Sequence, residues 1–236
     1  MTAISDAAFT DAQEQELHNW VGQTGNRGRL LYELVEHSEI EKPLRRAIGD
    51  AGLTIDAALE VGVGCFGLGF LGPHLSDICG RIDGIDPLPR QTLDPADPAL
   101  RAYLEAIQDR VHYVQCAGEE LPLKTDGYDL VSCINVVDHA QNPVAILKEI
   151  HRVLRPGGLL AFSVSTLSKA GELKWKVNRK RHPDNWLFRA HPHTYQWNAA
   201  DDMVRSLFPD VLWNDEPSGR SKLIGKGRMS SWIVRN

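Results

Sequence analysis

Glu60-Val61-Gly62-Val63-Gly64-Cys65-Phe66-Gly67 follows the apolar run Ala57-Ala58-Leu59 and is the stretch on which the fold turns. A side chain at Gly62 or Gly64 would keep a ligand away from the backbone. Glycine also reaches the φ > 0 conformations that a tight strand-to-helix turn needs. Taken alone, the G-x-G-x-x-G spacing suits a dinucleotide as well as any other nucleoside. It also suits a glycine turn that holds no ligand.

Outward from this loop, short apolar runs recur. They are Ile82–Asp86, Val111–Val114, Tyr128–Ile134 and Leu159–Val164. Helix-like segments separate them, most clearly Pro143–Leu154. There Val144, Leu147, Ile150, His151 and Leu154 keep helical spacing, and Pro156-Gly157-Gly158 stops the pattern. Strand and helix in alternation predict βαβ units, an α/β doubly wound Rossmann-like fold with a mostly parallel sheet. In such sheets a ligand sits at the carboxyl ends of the strands. Trp197–Phe208 suits a late helix, and Val211-Leu212-Trp213 and Ser230–Val234 suit two closing strands. Near the N-terminus, Leu17, Trp20 and Val21, then Leu30, Leu31, Leu34 and Val35, mark two short helices joined around residues 23–26, with a third over Pro43–Ala51. Ser168–Ala190 fits neither period, is rich in Lys, Arg and Trp, and reads as an inserted lid. The expected organisation is a helical cover over residues 1–52 and a core over 53–236, with the lid at 168–190.

The bulk properties narrow the function classes. The chain has 236 residues, 42% of them hydrophobic and 24% charged, and a formal net charge of −5. A nucleic-acid partner is disfavoured, because phosphate neutralisation needs concentrated Lys and Arg. Cys65, Cys79, Cys116 and Cys133 form no C-x-x-C pair, so no structural zinc or disulfide framework is expected. No apolar run approaches a membrane span. The first ten residues lack a basic and then apolar leader, so the cytoplasm is the expected location. The sequence leaves the oligomeric state open.

Two carboxylates sharpen the ligand. Asp86 ends the second strand, where it can accept from both ribose hydroxyls, with Pro87 turning the chain behind it. That would serve NAD and S-adenosylmethionine alike. Glu60 stands two residues before the first glycine. There it would face the ammonium of a methionine moiety, whereas a pyrophosphate would be repelled.

The chain resembles the class I S-adenosylmethionine-dependent methyltransferases, especially the ubiquinone- and sterol-type (methyltransferase type 11-like) group. The resemblance runs from about Leu59 to Val164. It rests on Glu119-Glu120-Leu121-Pro122 followed by Tyr128-Asp129-Leu130-Val131, on His139-Ala140-Gln141-Asn142-Pro143, and on Arg152-Val153-Leu154-Arg155-Pro156-Gly157-Gly158. Two departures stand out. Phe66 holds the place of the family's third glycine, and Ala117 holds that of an Asp that receives adenine. The resemblance implies a seven-stranded sheet with an antiparallel C-terminal strand. It implies S-adenosylmethionine as cofactor, with S-adenosylhomocysteine as product. Glu60, Gly62, Gly64, Asp86, Pro87, Gly118, Glu119 and Asn135 would hold it, with adenine resting on the Gly118 backbone and Glu119.

On the substrate side, His139 follows strand four and is a candidate general base, its ordinary pKa lying near working pH. His193 is a second catalytic candidate. His193, Tyr195 and Trp186 are the candidate substrate contacts. Asp138 and His139 can also be read as a turn and helix cap. No Asp or Glu sits at a familiar ligand spacing from His182, His191 or His193, so no metal is expected. Lys174, Lys176, Arg179, Lys180 and Arg181 could clamp an anionic substrate, or could simply be solvated. Arg27 or Arg29 could pair with the methionine carboxylate. The expectation is methyl transfer to an O, N or C nucleophile of a small molecule, with an anionic one as a candidate for the basic segment. The alternatives are an NAD-type oxidoreductase and a non-catalytic S-adenosylmethionine-binding protein.

Overall fold

The structure is a computed structural model that describes residues 3–236. Residues 1–2 of the expected helical cover lie outside the described residues. In chain order the elements are α1 (Asp6–Val21), α2 (Arg27–Val35), a 3₁₀ turn (Ser38–Ile40), α3 (Glu41–Asp50), β1 (Ile55–Val61), α4 (Leu71–Leu75), β2 (Cys79–Asp86), α5 (Pro98–Gln108), β3 (Val111–Gln115), β4 (Tyr128–Ile134), α6 (Pro143–Val153), β5 (Leu154–Thr166), α7 (Lys169–Arg181), α8 (Trp186–Ala190), α9 (Trp197–Arg205), β6 (Asp210–Asn214), α10 (Gly219–Ile224) and β7 (Arg228–Arg235).

Local chemistry sets many of these boundaries. Asn26, Asp97, Asn142, Ser168 and Asn185 each accept a backbone N–H at the start of a helix, satisfying a donor that has no partner within the helix. Proline opens α5 and α6, where its missing N–H costs nothing. β4 is buried along its whole length, as a central parallel strand covered on both faces must be.

The seven strands form one sheet in the order β3-β2-β1-β4-β5-β7-β6. Strands β1 to β5 pair in parallel, and β7 runs antiparallel to both of its neighbours. The order reverses at β1 and β4, which places a crevice at their carboxyl ends. The core on one face packs Leu147, Ile150 and Val153 of α6 and Val204 of α9 against the sheet. On the other face, Leu44 and Ile48 of α3 and Leu71 of α4 do the same. A third apolar cluster joins Leu30, Phe66, Leu68, Leu88 and Leu104, and so ties α2 and α5 to the glycine loop.

Two local differences from the sequence reading have physical causes. The Pro156-Gly157-Gly158 stretch lies inside β5, because helix α6 already stops at Val153 and the strand starts at Leu154. Gly157 takes φ +81° there and bends the strand's first residues. The 168–190 segment is helical rather than irregular. Helix α7 buries none of its residues, so it lacks the apolar stripe that a sequence reader follows. Its Ser168 cap and the edge-to-face packing of Trp175 on Phe188, 4.8 Å between centroids, hold it instead. Helices α4 and α5 are two of the helical segments expected between the strands, and the structure gives them their bounds. No described helix is long and apolar enough to cross a membrane.

Candidate cofactor and acceptor site

The cleft at the carboxyl ends of β1, β2 and β4 is closed from above by α1 and α2. Its sheet side begins with the loop after β1. Gly62, Gly64, Gly67 and Gly69 all take positive φ. Gly67 therefore supplies the left-handed residue that Phe66 cannot, and Phe66 turns inward and meets Trp20 edge-on at 5.5 Å. Gly62 is required on a second ground: a Cβ there would overlap Val136 Cγ2. The loop is stitched to β2 by Gly62 N–H and Val63 N–H donating to the Ile85 carbonyl, at 2.8 and 3.0 Å.

Asp86 sits across this loop. Its Oδ2 accepts from Gly64 N–H and its Oδ1 from Leu88 N–H, both at 2.9 Å. It lines the cleft, and burial raises its carboxyl to about 6. Each oxygen keeps a lone pair for a hydroxyl. Pro87, Gly118 and Asn135 also line the cleft, with Leu88 and Cys116 between them. Asn135 takes φ +58° at the end of β4, and His37 takes φ +67° across the cleft. Residues held in that region concentrate at ligand sites.

Two expected cofactor contacts are engaged with the protein itself. Glu60 is 2% exposed, and its two oxygens accept from Phe70 N–H at 2.6 Å and Leu71 N–H at 2.9 Å, at the start of α4. Burial raises its carboxyl to about 7, against the pull of those two donors. Glu60 therefore shapes the loop first. Glu119 Oε1 accepts from Gln141 N–H and Asn142 N–H at 2.8 and 3.0 Å, and so caps the start of α6. Both residues still line the cleft.

The helical side of the cleft carries Phe9, Gln13, Glu16 and Trp20 from α1, and Arg29, Glu33 and Glu36 from around α2. Arg29 pairs with Glu33 at 2.6 Å and lies over the Trp20 ring at 3.8 Å, while its buried Nε has no partner. Arg29 thus stands where a ligand carboxylate could reach it. Arg27 does not line the cleft.

The late histidines are sorted differently from the sequence reading. His139 is on the cleft, and its Nδ1 donates to the Ala190 carbonyl at 2.9 Å. His193 is not. Its Nε2 donates to the Ala140 carbonyl at 3.0 Å, and burial lowers its pKa. The imidazole beside His139 is His191, 4.1 Å away between ring centroids. His191 Nδ1 is 3.1 Å from Oδ2 of the buried Asp138. Burial would raise Asp138, but the His139 imidazole and the hydrogen bond from His191 prevail and lower it; burial would lower His191, but the hydrogen bond and charge of Asp138 prevail and raise it. Tyr195 is fully buried, with its hydroxyl on the Val137 carbonyl at 3.1 Å, and Trp186 is exposed outside the cleft. Neither stands on the cleft wall where substrate contacts were expected. Lys176, Arg179 and Lys180 line a separate cavity with Asp11 and Arg189. One cluster had no sequence signal: Glu16, His139 and His191 each bring a ligand atom within 4.8 Å of the others.

Residues 59–162 match the family model described as "Methyltransferase domain". A ubiquinone biosynthesis O-methyltransferase of Paraburkholderia xenovorans (strain LB400) is 30% identical over 122 residues, 51% of this chain and 50% of that one. An uncharacterised methyltransferase of Mycobacterium leprae (strain Br4923) is 32% identical over 172 residues, 69% of this chain and 59% of that one. The chain spans about half the length of the curated relatives it matches. Among solved structures, the N-methyltransferase NodS of Bradyrhizobium japonicum WM9, in complex with S-adenosyl-L-homocysteine, superposes with a TM-score of 0.55 at 15% identity, over 89% of this chain and 97% of that one. That last likeness speaks for the fold.

Proposed function

We propose that this chain is a class I S-adenosylmethionine-dependent methyltransferase of the ubiquinone-type group and transfers the sulfonium methyl of S-adenosylmethionine to a small-molecule acceptor. The observation that carries the reading is the charge of the cleft. Glu16, Glu33, Glu36, Glu60, Asp86 and Glu119 line it, against Arg29 as its one arginine among the described residues, although burial raises Glu33 and Glu60 to about 7, so these two carry only part of a charge near neutral pH. Such a wall favours a cationic sulfonium with an ammonium group and repels a pyrophosphate. The same charge separates this reading from the NAD-type oxidoreductase.

In this reading Asp86 accepts from the ribose hydroxyls, and the backbone at Gly62 and Gly64 lies under the methionine portion. Asn135, at the end of β4, meets the same portion, and Arg29 takes its carboxylate. Adenine lies between Leu88 and Gly118. The acceptor enters beside His139 under α1, so of the two histidines expected to act in catalysis the reading keeps His139. The acidic wall supports a neutral acceptor. The basic groups that would clamp an anionic one face another cavity. The methyl is already activated, so alignment of the nucleophile with the sulfonium supplies much of the rate.

Calorimetry with S-adenosylmethionine and S-adenosylhomocysteine tests the cofactor. Both are expected to bind at one site per chain, and no heat with either at millimolar concentration rejects the reading. Incubating the protein with methyl-labelled donor and small-molecule extracts, then weighing the labelled product, identifies the acceptor.

A further inference from the structure

Glu16, His139 and His191 come from three distant parts of the chain and converge where α1 meets the end of β4. Each is already held in place by a neighbour. Glu16 Oε2 accepts from the Trp20 indole at 3.2 Å, which leaves Oε1 facing His139 Nδ1 at 3.6 Å. His191 gives its Nδ1 to Asp138 Oδ2 at 3.1 Å, which leaves Nε2 as a free donor of electrons. Asp138 is 3% exposed, and its Oδ1 has no hydrogen-bond partner. That oxygen lies 3.8 Å from His139 Nε2.

A buried carboxylate oxygen without a donor costs free energy. One change supplies the donor. If His139 moves its proton from Nδ1 to Nε2, the Nε2–H turns to Asp138 Oδ1 and Nδ1 becomes a ligand nitrogen beside Glu16 Oε1; the ring must then swing away from the Ala190 carbonyl, which gives up the Nδ1–H that it accepts at 2.9 Å. Asp138 would then orient both imidazoles, one with each oxygen. This is the carboxylate–histidine support that metal-ligating histidines use. We propose that Glu16, His139 and His191 bind a divalent transition-metal ion of the zinc class, which takes an oxygen of the methyl acceptor at the rim of the cleft. Two imidazoles and one carboxylate suit zinc, cobalt, nickel or iron(II) over magnesium. A tetrahedral ion with such bonds holds its ligand atoms about 3.4 Å apart, so the present spacing needs only small side-chain rotations to close.

The proposal deepens the methyltransfer reading and rests on it for its chemistry. Glu16 and His139 line the cleft, so the open coordination positions face the acceptor. A hydroxyl bound to the ion loses its proton to solvent. Its oxygen pair forms the bond to the methyl carbon, and the sulfur–carbon pair returns to sulfur as S-adenosylhomocysteine. The acceptor class is therefore a neutral hydroxyl compound with an oxygen free to bind the ion.

The test uses the full chain stripped with a chelator and titrated with Co²⁺, followed by visible absorption, and with Zn²⁺ in equilibrium dialysis. One ion per chain is expected, with the d–d bands of a four- or five-coordinate cobalt. Glu16→Gln and His191→Gln are each expected to weaken uptake by at least about tenfold, and Asp138→Asn by about tenfold, as loss of an outer-shell partner does. Glu16 lies on the face of α1, so that variant decides if His191→Gln unfolds. Circular dichroism melting and S-adenosylhomocysteine calorimetry on the same samples report the fold and the cofactor site. No stoichiometric uptake by the wild type, or uptake that survives both Glu16→Gln and His191→Gln, overturns the metal site. Protein that binds S-adenosylhomocysteine but no metal rejects this proposal alone. Protein that takes up metal but neither donor nor product rejects the methyltransfer reading and leaves the metal site standing.

Discussion

The sheet wall of the cleft, from Glu60 to Asp86, is shaped by backbone, whereas the facing wall, from Glu16 to His139, is made of side chains. On the sheet wall, glycines at positive φ and amides donating to Asp86 and Glu60 set the shape. On the facing wall, Arg29 stacks on Trp20 and the histidines lean on Asp138 and the Ala190 carbonyl. A backbone-built wall is stiff, and one added methyl disrupts it. A side-chain wall can repack, so single substitutions there cost less. In the proposed reading, cofactor recognition falls mainly to the first wall, with Arg29 reaching across from the second, which otherwise faces the acceptor.

The largest effect should come from Gly62→Ala. It adds a Cβ at φ +76° and drives it into Val136. Cofactor affinity is expected to fall by on the order of 100-fold, from strain and overpacking together. Pairing it with Val136→Ala should recover part of the loss. A single variant that binds S-adenosylhomocysteine like the wild type would show that the sheet wall is softer than its geometry.

Asp86→Ala comes next. Losing hydrogen bonds to a carboxylate should weaken cofactor binding by about 10- to 100-fold. Unchanged affinity in calorimetry would remove Asp86 from the ribose role.

The same carboxylate predicts a pH dependence. Burial raises Asp86 to about 6, so the free protein carries it protonated below that pH. A neutral carboxyl accepts two hydroxyls less well. Affinity should therefore be flat above pH 7 and fall by up to about tenfold per unit below 6. For folding the sign is opposite. A raised carboxyl stabilises the fold below its ordinary range and loses that contribution as pH climbs through about 6. The ligand-free protein should thus not gain stability from Asp86 between pH 5 and 8. An affinity that rises on acidification would contradict the assignment.

Arg29→Ala should be the mildest, about threefold on cofactor affinity, because the guanidinium is partly solvated and already shared with Glu33. A loss as large as that of Asp86→Ala would mean that the facing wall is as rigid as the sheet wall.

The two walls differ equally in how far the sequence revealed them. Gly62, Gly64, Asp86, Pro87 and Asn135 line the cleft at strand ends whose period and turn residues are local signals, and Gly118, which the family resemblance pointed to, lines it too. Glu60 was found for its charge and Glu119 through the family resemblance, and the structure adds the helix starts that they hold. Tyr195 and Trp186 show the limit. An aromatic near a motif has no readable direction until the chain around it is packed, and here one faces the core and the other solvent.

The sequence by itself determined the alternating strands and helices, the glycine turn, and the carboxylate at the end of the second strand. These follow from hydrophobic period and backbone sterics, which act over a few residues. Only the tertiary structure decided that His191 rather than His193 joins His139, that Asp138 bonds His191 and stands 3.8 Å from His139, and that Glu16 faces the pair. Those contacts join α1, the end of β4 and the segment after α8, and packing energy sets them over distances for which the chain carries no local pattern.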